Sequence, residues 1–367
     1  MIKLLVRTGL IFGIALALLA VAAASFLIRG GAFRAVETVS LEACEAIDIP
    51  LGSAEDIQID HEGRIALLSV LDRRRSIGEG KSVKGTILSL SLTPAASTPV
   101  PALSSQPKDF RPHGLSLFTD ENGLKTLVVI NHAVTGELIE VFRKSQNDEL
   151  FKHVHTLTSP LLVAPNDLVA VDSEKFYVAN DSGAENGIEK AAEMMFAVGL
   201  SPLVYFNGRK FDTVADDLQS SGGINVSQDG TELYVGQTAG ESIRVYSLNT
   251  DKSIGDVKHT IKVGSGVDNI DIATDGALWI ANHTNTLALV KHFGNPASLA
   301  PTQIQKLNNL FPGKEYRLET VFENDGSLIS AGSVGTRYKD VILIGSITEP
   351  KLLKCSVNNQ APLKHSE

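Results

Sequence analysis

The chain has 367 residues, 43% of them hydrophobic and 20% charged, with a formal net charge of −9 and two cysteines. That composition describes a globular protein with ample core, and the acidic balance argues against nucleic acid, which requires a basic face. The length would allow more than one domain, although closed all-β folds commonly use this much chain as one.

Residues 1–30 stand apart. Lys3 and Arg7 precede an uncharged run from Gly9 to Ile28, long enough to span a hydrocarbon core. Ala20 to Ala24 offer small residues to a signal peptidase, but Ser25-Phe26-Leu27-Ile28 carries the apolar run past them. That length favours an uncleaved signal-anchor over cleavage and secretion. Lys3 and Arg7 are balanced by Arg29 and Arg34, so flanking charge leaves the orientation open. Cys44 follows the anchor and Cys355 lies near the other end. In an oxidising compartment (extracellular space, ER lumen or periplasm) such a pair reads as a disulfide closing the domain of residues 40–367. Loop-closure entropy sets an upper value of about 5–6 kcal/mol for it. The disulfide in turn favours the N-terminus inside and the domain outside.

After residue 40, short runs rich in Val, Ile, Leu, Tyr and Phe alternate with Gly, Asp, Asn and Ser clusters, a strand-and-turn pattern. Six units share it. They open at Asp56-Ile57, Gly114-Leu115, Asp167-Leu168, Asn225-Val226, Asn269-Ile270 and Leu318-Glu319. In five of them Glu-Gly, Asn-Gly or Asp-Gly leads to a second apolar strand, a hairpin signal. A period of roughly 45–60 residues has room for four strands and predicts a six-bladed β-propeller. The opening strand of each unit is then innermost, with its entrance on the central channel, and the disulfide ties the first strand to the last blade. Two insertions interrupt the pattern. Leu71 to Lys81, with Asp72-Arg73-Arg74-Arg75, reads as a mobile polar loop. Ile188 to Leu200 has helix composition and follows Asn180-Asp181-Ser182-Gly183, as either a lid over the channel or a core-packed helix.

The strand entrances carry the chemistry. Glu55, Asn166, Asn225, Asp268 and Asn269 come from four units, and hard oxygen donors gathered by separate strands suit calcium. His113 and His132 belong to one unit and could meet if that blade folds back, one ring orienting the other. His283 occupies a blade end that would line the channel. No Gly-x-Ser-x-Gly elbow or P-loop is present. Asn180, Asn225 and Asn282 stand in glycosylation sequons that read as accidental matches.

Glu55-Asp56, Pro112-His113-Gly114, Val129-Ile130-Asn131-His132, Asn166-Asp167, Gly223-Ile224-Asn225 and Val267-Asp268-Asn269-Ile270 resemble the paraoxonase/arylesterase family in order and spacing. Cys44 and Cys355 match its closing disulfide. The resemblance implies two calcium ions in the channel of an all-β propeller. A catalytic ion would be held by Glu55, Asn166, Asn225, Asp268 and Asn269, and a structural one by Asp56, Asp167 and the Leu115 carbonyl. It also implies a His113/His132 dyad and hydrolysis of lactones and aryl esters, with promiscuous organophosphatase activity in some members. Arg73 stands where animal members carry a tyrosine, and Ser182 follows Asn180-Asp181 where the family often has histidine. Arg73, Asp181 and His283 are therefore the expected substrate-channel residues. Glu55 or Asp268 is the rival to His113 as base. A sugar-lactone hydrolase on the same fold, or a calcium-stabilised propeller that binds without catalysis, are the alternative functions.

Overall fold

The computed structural model describes residues 2–79, 83–93, 98–308 and 316–356. Six four-stranded antiparallel sheets stand around an axis. Strand β1 (Glu42–Asp48) comes first in the chain but belongs to the last sheet. The first blade contains β2 (Ser53–Asp60), β3 (Ile65–Leu71), β4 (Thr86–Ser91) and β5 (Val100–Pro101). The second contains β6 (Pro112–Thr119), β7 (Lys125–Ala133), β8 (Gly136–Lys144) and β9 (Lys152–Leu157). The third contains β10 (Pro165–Ala170), β11 (Phe176–Asn180), β12 (Ser201–Phe206) and β13 (Phe211–Leu218). Strands β14 (Ser221–Val226), β15 (Glu232–Gln237), β16 (Ser242–Leu248) and β17 (Ile254–Lys262) build the fourth. The fifth contains β18 (Gly266–Ile272), β19 (Leu278–His283), β20 (Thr302–Asn308) and β21 (Arg317–Asn324). The sixth contains β22 (Gly332–Tyr338), β23 (Val341–Ser346) and β24 (Lys351–Ser356), and β1 completes it against β24.

The expected six-bladed propeller is present. Strands β2, β6, β10, β14, β18 and β22 each pack against the next, and β22 returns to β2, which closes the inner ring. The core lies between blades: Ile57 with Val334, and Leu168 with Val178 and Val128, are fully buried there. Gly230 and Gly276 take φ of +67° and +79° in the expected hairpin turns, a region open to glycine at little cost. The Cys44–Cys355 disulfide joins β1 to β24, as expected.

Two expectations about the elements need correction. The sixth unit does not open at Leu318. Strand β21 is the outer strand of blade five, and Asp325-Gly326 is the bend that leaves it, with Gly326 (φ +100°) packed where a Cβ would lie 2.5 Å from the Ala300 carbonyl. The true inner strand is β22, followed by a Lys339-Asp340 turn that lacks glycine. The second correction concerns the insertion after β3. Arg73–Glu79 is a helix (α2), and Arg73 is buried rather than mobile, because carboxylates lie behind it; Gly80 and Lys81 fall outside the described residues.

Helix α1 (Ile2–Arg29) contains the apolar run, and Gly30 and Gly31, which follow it, lie against Leu287 and Thr284 in the segment after β19. Most side chains of its first half fall outside the described residues, and among the described residues no helix is long and apolar enough to cross a membrane. Helix α3 (Gly187–Phe196) lies beside α1, and α4 (Thr286–Gly294) follows β19. Helices α2, α3 and α4 therefore all leave strands at the same end of the propeller, the end where the inner strands begin. Buried Glu193 of α3 accepts hydrogen bonds from Ser182 (2.6 Å) and Ser201 (2.7 Å), which pins this helix to the edge of the mouth.

Candidate active site at the channel mouth

Each inner strand breaks its pairing register at its entrance. The shifts fall between Ala54 and Asp56, Pro112 and Leu115, Pro165 and Asp167, Ser221 and Ile224, Val267 and Ile270, and Gly332 and Val334. An extra residue at such a bulge re-aims its neighbours, so two consecutive side chains can both reach the axis. Regular pairing has resumed by Ile57, Leu115, Leu168, Ile224, Ile270 and Val334, all of them core residues. Counted back from these, Glu55-Asp56, His113-Gly114, Asn166-Asp167, Gly222-Gly223, Asp268-Asn269 and Ser333 hold equivalent places. Glycine is needed where strands crowd: a Cβ on Gly114 would lie 2.6 Å from the Asp167 Cα, and one on Gly223 2.4 Å from the Asp268 carbonyl.

Asn225 departs from expectation. It comes after the reference position, level with Asp271, and the equivalents of Asn166 and Asp167 in its strand are Gly222 and Gly223. Its Nδ2 donates to the Ile270 carbonyl (2.8 Å) and its Oδ1 accepts from the Val226 N–H (2.9 Å). It lines the deeper channel with Gln58, Ser116 and Asp271, where a cavity of about 550 Å³ opens toward the hairpin-turn end. The inner-strand entrance of the fourth blade thus brings no amide to the mouth.

The remaining mouth residues do come together. Asn269 Nδ2 donates to Glu55 Oε1 (3.1 Å) and to the Glu55 carbonyl (3.2 Å), which also accepts from Ser333 Oγ (2.6 Å). Arg73 lies 3.8 Å from Glu55 Oε2, with its guanidinium fixed by the carbonyls of Pro112 (2.7 Å) and Ser53 (3.4 Å). His283 Nε2 is 2.8 Å from Asp268 Oδ2, and both are buried. His113 Nε2 stands 3.6 Å from Glu55 Oε1, and its ring meets His132 edge-on with centroids 4.8 Å apart. His132 Nδ1 in turn bonds Glu137 across the β7–β8 hairpin. Asp181 follows β11 and pairs with Lys190 of α3 at 3.6 Å.

Glu55 Oε2, Asn166 Oδ1 and Asn269 Oδ1 are buried at this mouth with no hydrogen-bond partner, and so is Asp181 Oδ1 beside α3. An unpartnered buried acceptor is costly, and it calls for a cation or water. Burial pushes the Glu55 carboxyl up to about 8, with Arg73 opposing and Asp268 and Asp56 adding to the rise. Burial, then His132, then Arg73 hold His113 well below the usual imidazole range, so it is neutral and able to take a proton at neutral pH. Among the described residues no three His, Cys, Asp or Glu side chains form a metal cluster by themselves. A metal here would depend on the amide oxygens together with Glu55 and Asp268, a set suited to a hard ion.

The second member of each pair is satisfied differently. Asp56 accepts from the Ile57 N–H (2.7 Å) and from the Leu115 N–H of the next inner strand (2.8 Å). Asp167 likewise accepts from Leu168 (2.7 Å) and, across blades, from Ile224 (2.9 Å). Burial raises both carboxyls, Asp56 to about 6. Ser333, Asp271 and Glu137 escaped the sequence reading. Only Glu137 carried a usable signal, because a two-residue turn after Ala133 places it directly opposite His132.

A family model described as Arylesterase matches residues 96–357, well over half of the chain. The chain belongs to the arylesterase family. It is 28% identical over 362 residues to serum paraoxonase/arylesterase 1 of Mus musculus, covering 97% of this chain and 100% of that protein. It is also 28% identical over 352 residues to serum paraoxonase/lactonase 3 of Homo sapiens, covering 95% of this chain and 98% of that one. Among solved structures, a gluconolactonase from Xanthomonas campestris superposes with a TM-score of 0.53 at 15% identity, covering 89% of this chain and 99% of that one. The calcium-binding protein regucalcin from Agrobacterium tumefaciens gives 0.50 at 12% identity, covering 87% and 94%. These two likenesses concern the fold.

Proposed function

We propose that this protein is a calcium-dependent hydrolase of lactones and aryl esters, as the names of its relatives suggest. The observation that carries this is the trio of unpartnered buried oxygens on Glu55, Asn166 and Asn269 beside a neutral, half-buried His113. Glu55, Asn166, Asp268 and Asn269 would hold one ion at the mouth, without Asn225. Asp56, Asp167 and the Leu115 carbonyl would hold a second, structural one. Calcium bound at the mouth supplies polarisation of the ester carbonyl and stabilisation of its developing negative charge. His113 takes a proton from water as the water attacks the carbonyl carbon, and His132 orients His113. The C–O bond of the ring then breaks, and the leaving oxygen regains a proton. His283 fixes the carboxylate of Asp268, while Arg73 and Asp181 border the substrate's path. Attachment of α1 to a membrane, with residues 40–367 as a propeller domain in an oxidising compartment, accords with its exposed Phe12, Ile14, Leu16, Val21 and Ile28. Secretion after cleavage is the alternative.

The test is a panel of aliphatic lactones, sugar lactones, aryl esters and an organophosphate, offered to the full chain with calcium and after chelation. Turnover that chelation removes and calcium restores is the expected result. A protein that calcium stabilises but that turns over none of them would be a binding propeller instead.

A further inference from the structure

We propose that Glu137 is a positioning residue for the hydrolysis, acting through His132; this rests on the His113/His132 pair described under Proposed function. Strands β7 and β8 are joined by a tight turn in which Ala133 pairs with Gly136, so His132 and Glu137 are direct cross-strand partners. Such partners have Cβ atoms about 4.5–5.5 Å apart on one face of the sheet, and here the Glu137 carboxylate meets His132 Nδ1. An ionised carboxylate only accepts, so this contact places the proton of a neutral His132 on Nδ1 and leaves Nε2 as the acceptor. The ring orientation is fixed by the same bond, and the other face of the pair meets His113 edge-on.

Two other carboxylates lie near. Asp109 binds the Arg111 guanidinium and accepts from the Val134 N–H at 2.7 Å. Asp181 pairs with Lys190 at 3.6 Å and acts on His132 through its charge, without a hydrogen bond to the ring. Arg111 reaches His132 at its backbone carbonyl, at 3.5 Å. Glu137 is the carboxylate that bonds a nitrogen of this ring. Its side chain is 26% exposed and that of His132 31%, against 21% for His113, so all three groups are partly open to water.

The test uses the full chain, its calcium, and a lactone that the wild type turns over. E137L is expected to lower kcat about tenfold, as loss of a partner that orients a working histidine does, with KM unchanged. E137Q, which still accepts from Nδ1–H, is expected to restore part of the loss. In the H132Q background E137L should add nothing, since residues acting through one another are not additive. Imidazole ¹⁵N signals, with that of His132 assigned by its disappearance in H132Q, should show the Nδ1–H form in wild type and a mixture in E137L. Wild-type kcat in E137L, or an equal loss in the H132Q background, overturns the proposal while the histidine pair stands. Wild-type turnover in H132Q overturns the pair and Glu137's role together.

Discussion

The two residues of the strand-entrance pair in the first blade, and again in the third, have opposite fates. Glu55 and Asn166, the first members, keep an oxygen with no partner, whereas Asp56 and Asp167, the second members, have both oxygens engaged by backbone N–H groups. One N–H in each case belongs to the next inner strand, so the second carboxylate is a staple between blades. Neighbours in sequence thus divide the labour by depth. The outer layer is left with bare oxygens, and each inner carboxylate already has an N–H on each oxygen, with lone pairs to spare for the second ion proposed above. A bulge makes this division possible, since in a regular strand adjacent side chains face opposite sides.

The largest expected effect contrasts the layers directly. Asp268→Ala should lower lactone turnover by about a hundredfold or more, because it removes a carboxylate from the reacting site, while the thermal midpoint stays near that of wild type. Asp56→Ala should instead strand the buried N–H groups of Ile57 and Leu115, each at about 1–3 kcal/mol. Its signature is a lowered melting temperature in calcium, with loss of turnover following loss of fold. Melting curves and turnover measured on both variants decide it. If Asp268→Ala unfolds the protein and Asp56→Ala leaves it stable and inactive, the layers have been assigned the wrong way round.

A smaller effect tests the deepest layer through pH. Burial pushes Asp271 up to about 7, and Thr336 and a backbone N–H, which favour its charged form, only partly offset this. The folded state therefore holds this proton more tightly than the unfolded chain does. The resulting stability is fully present below the unfolded value near 4 and is lost as pH rises through about 7. Asp271→Asn removes the titration and leaves an amide oxygen to accept from Thr336. Compared with wild type it should melt higher at pH 8, by an amount on the order of a few kcal/mol, and the gap should close toward pH 4. Parallel melting curves across that range would mean that a bound cation, rather than a proton, neutralises Asp271.

Much of this was legible in the sequence, and the failures have physical causes. Glu55, Asn166, Asp268 and Asn269 stood out because polar pairs before apolar strands recur at blade spacing. Asn225 misled because Gly222-Gly223-Ile224-Asn225 shows an amide but not where the bulge begins; only pairing at Ile224 reveals that the glycines hold the equivalent places. The last inner strand was missed for a related reason. Its hairpin turns at Lys339, with φ of +54° and no glycine, whereas the glycine at Gly326 marks a bend between blades. Glu137 was visible as a partner of His132 only once the two-residue turn fixed the register.

Arg73 sharpens the comparison at its weakest point, since among the described residues its guanidinium is the cation that lies against Glu55 of the unsatisfied layer. It lies 3.8 Å from Glu55 Oε2, and its own charge is held by two backbone carbonyls rather than by a bidentate carboxylate. A guanidinium there partly neutralises Glu55, so a calcium ion bound at the mouth would have to share that carboxylate with it and would be repelled by it. Arg73→Met keeps much of the buried stem while removing the charge. Calorimetric titration of the metal-free protein should then show tighter calcium binding, by about tenfold or less, given that 1.4 kcal/mol corresponds to a factor of ten and that such pairs are partly screened. The melting temperature without calcium should fall, because Pro112 and Ser53 lose a donor and Glu55 its counter-charge. Weaker calcium binding in Arg73→Met would make Arg73 a support that preorganises Glu55 for the ion, and the outer layer would then be less open than its unpartnered oxygens indicate.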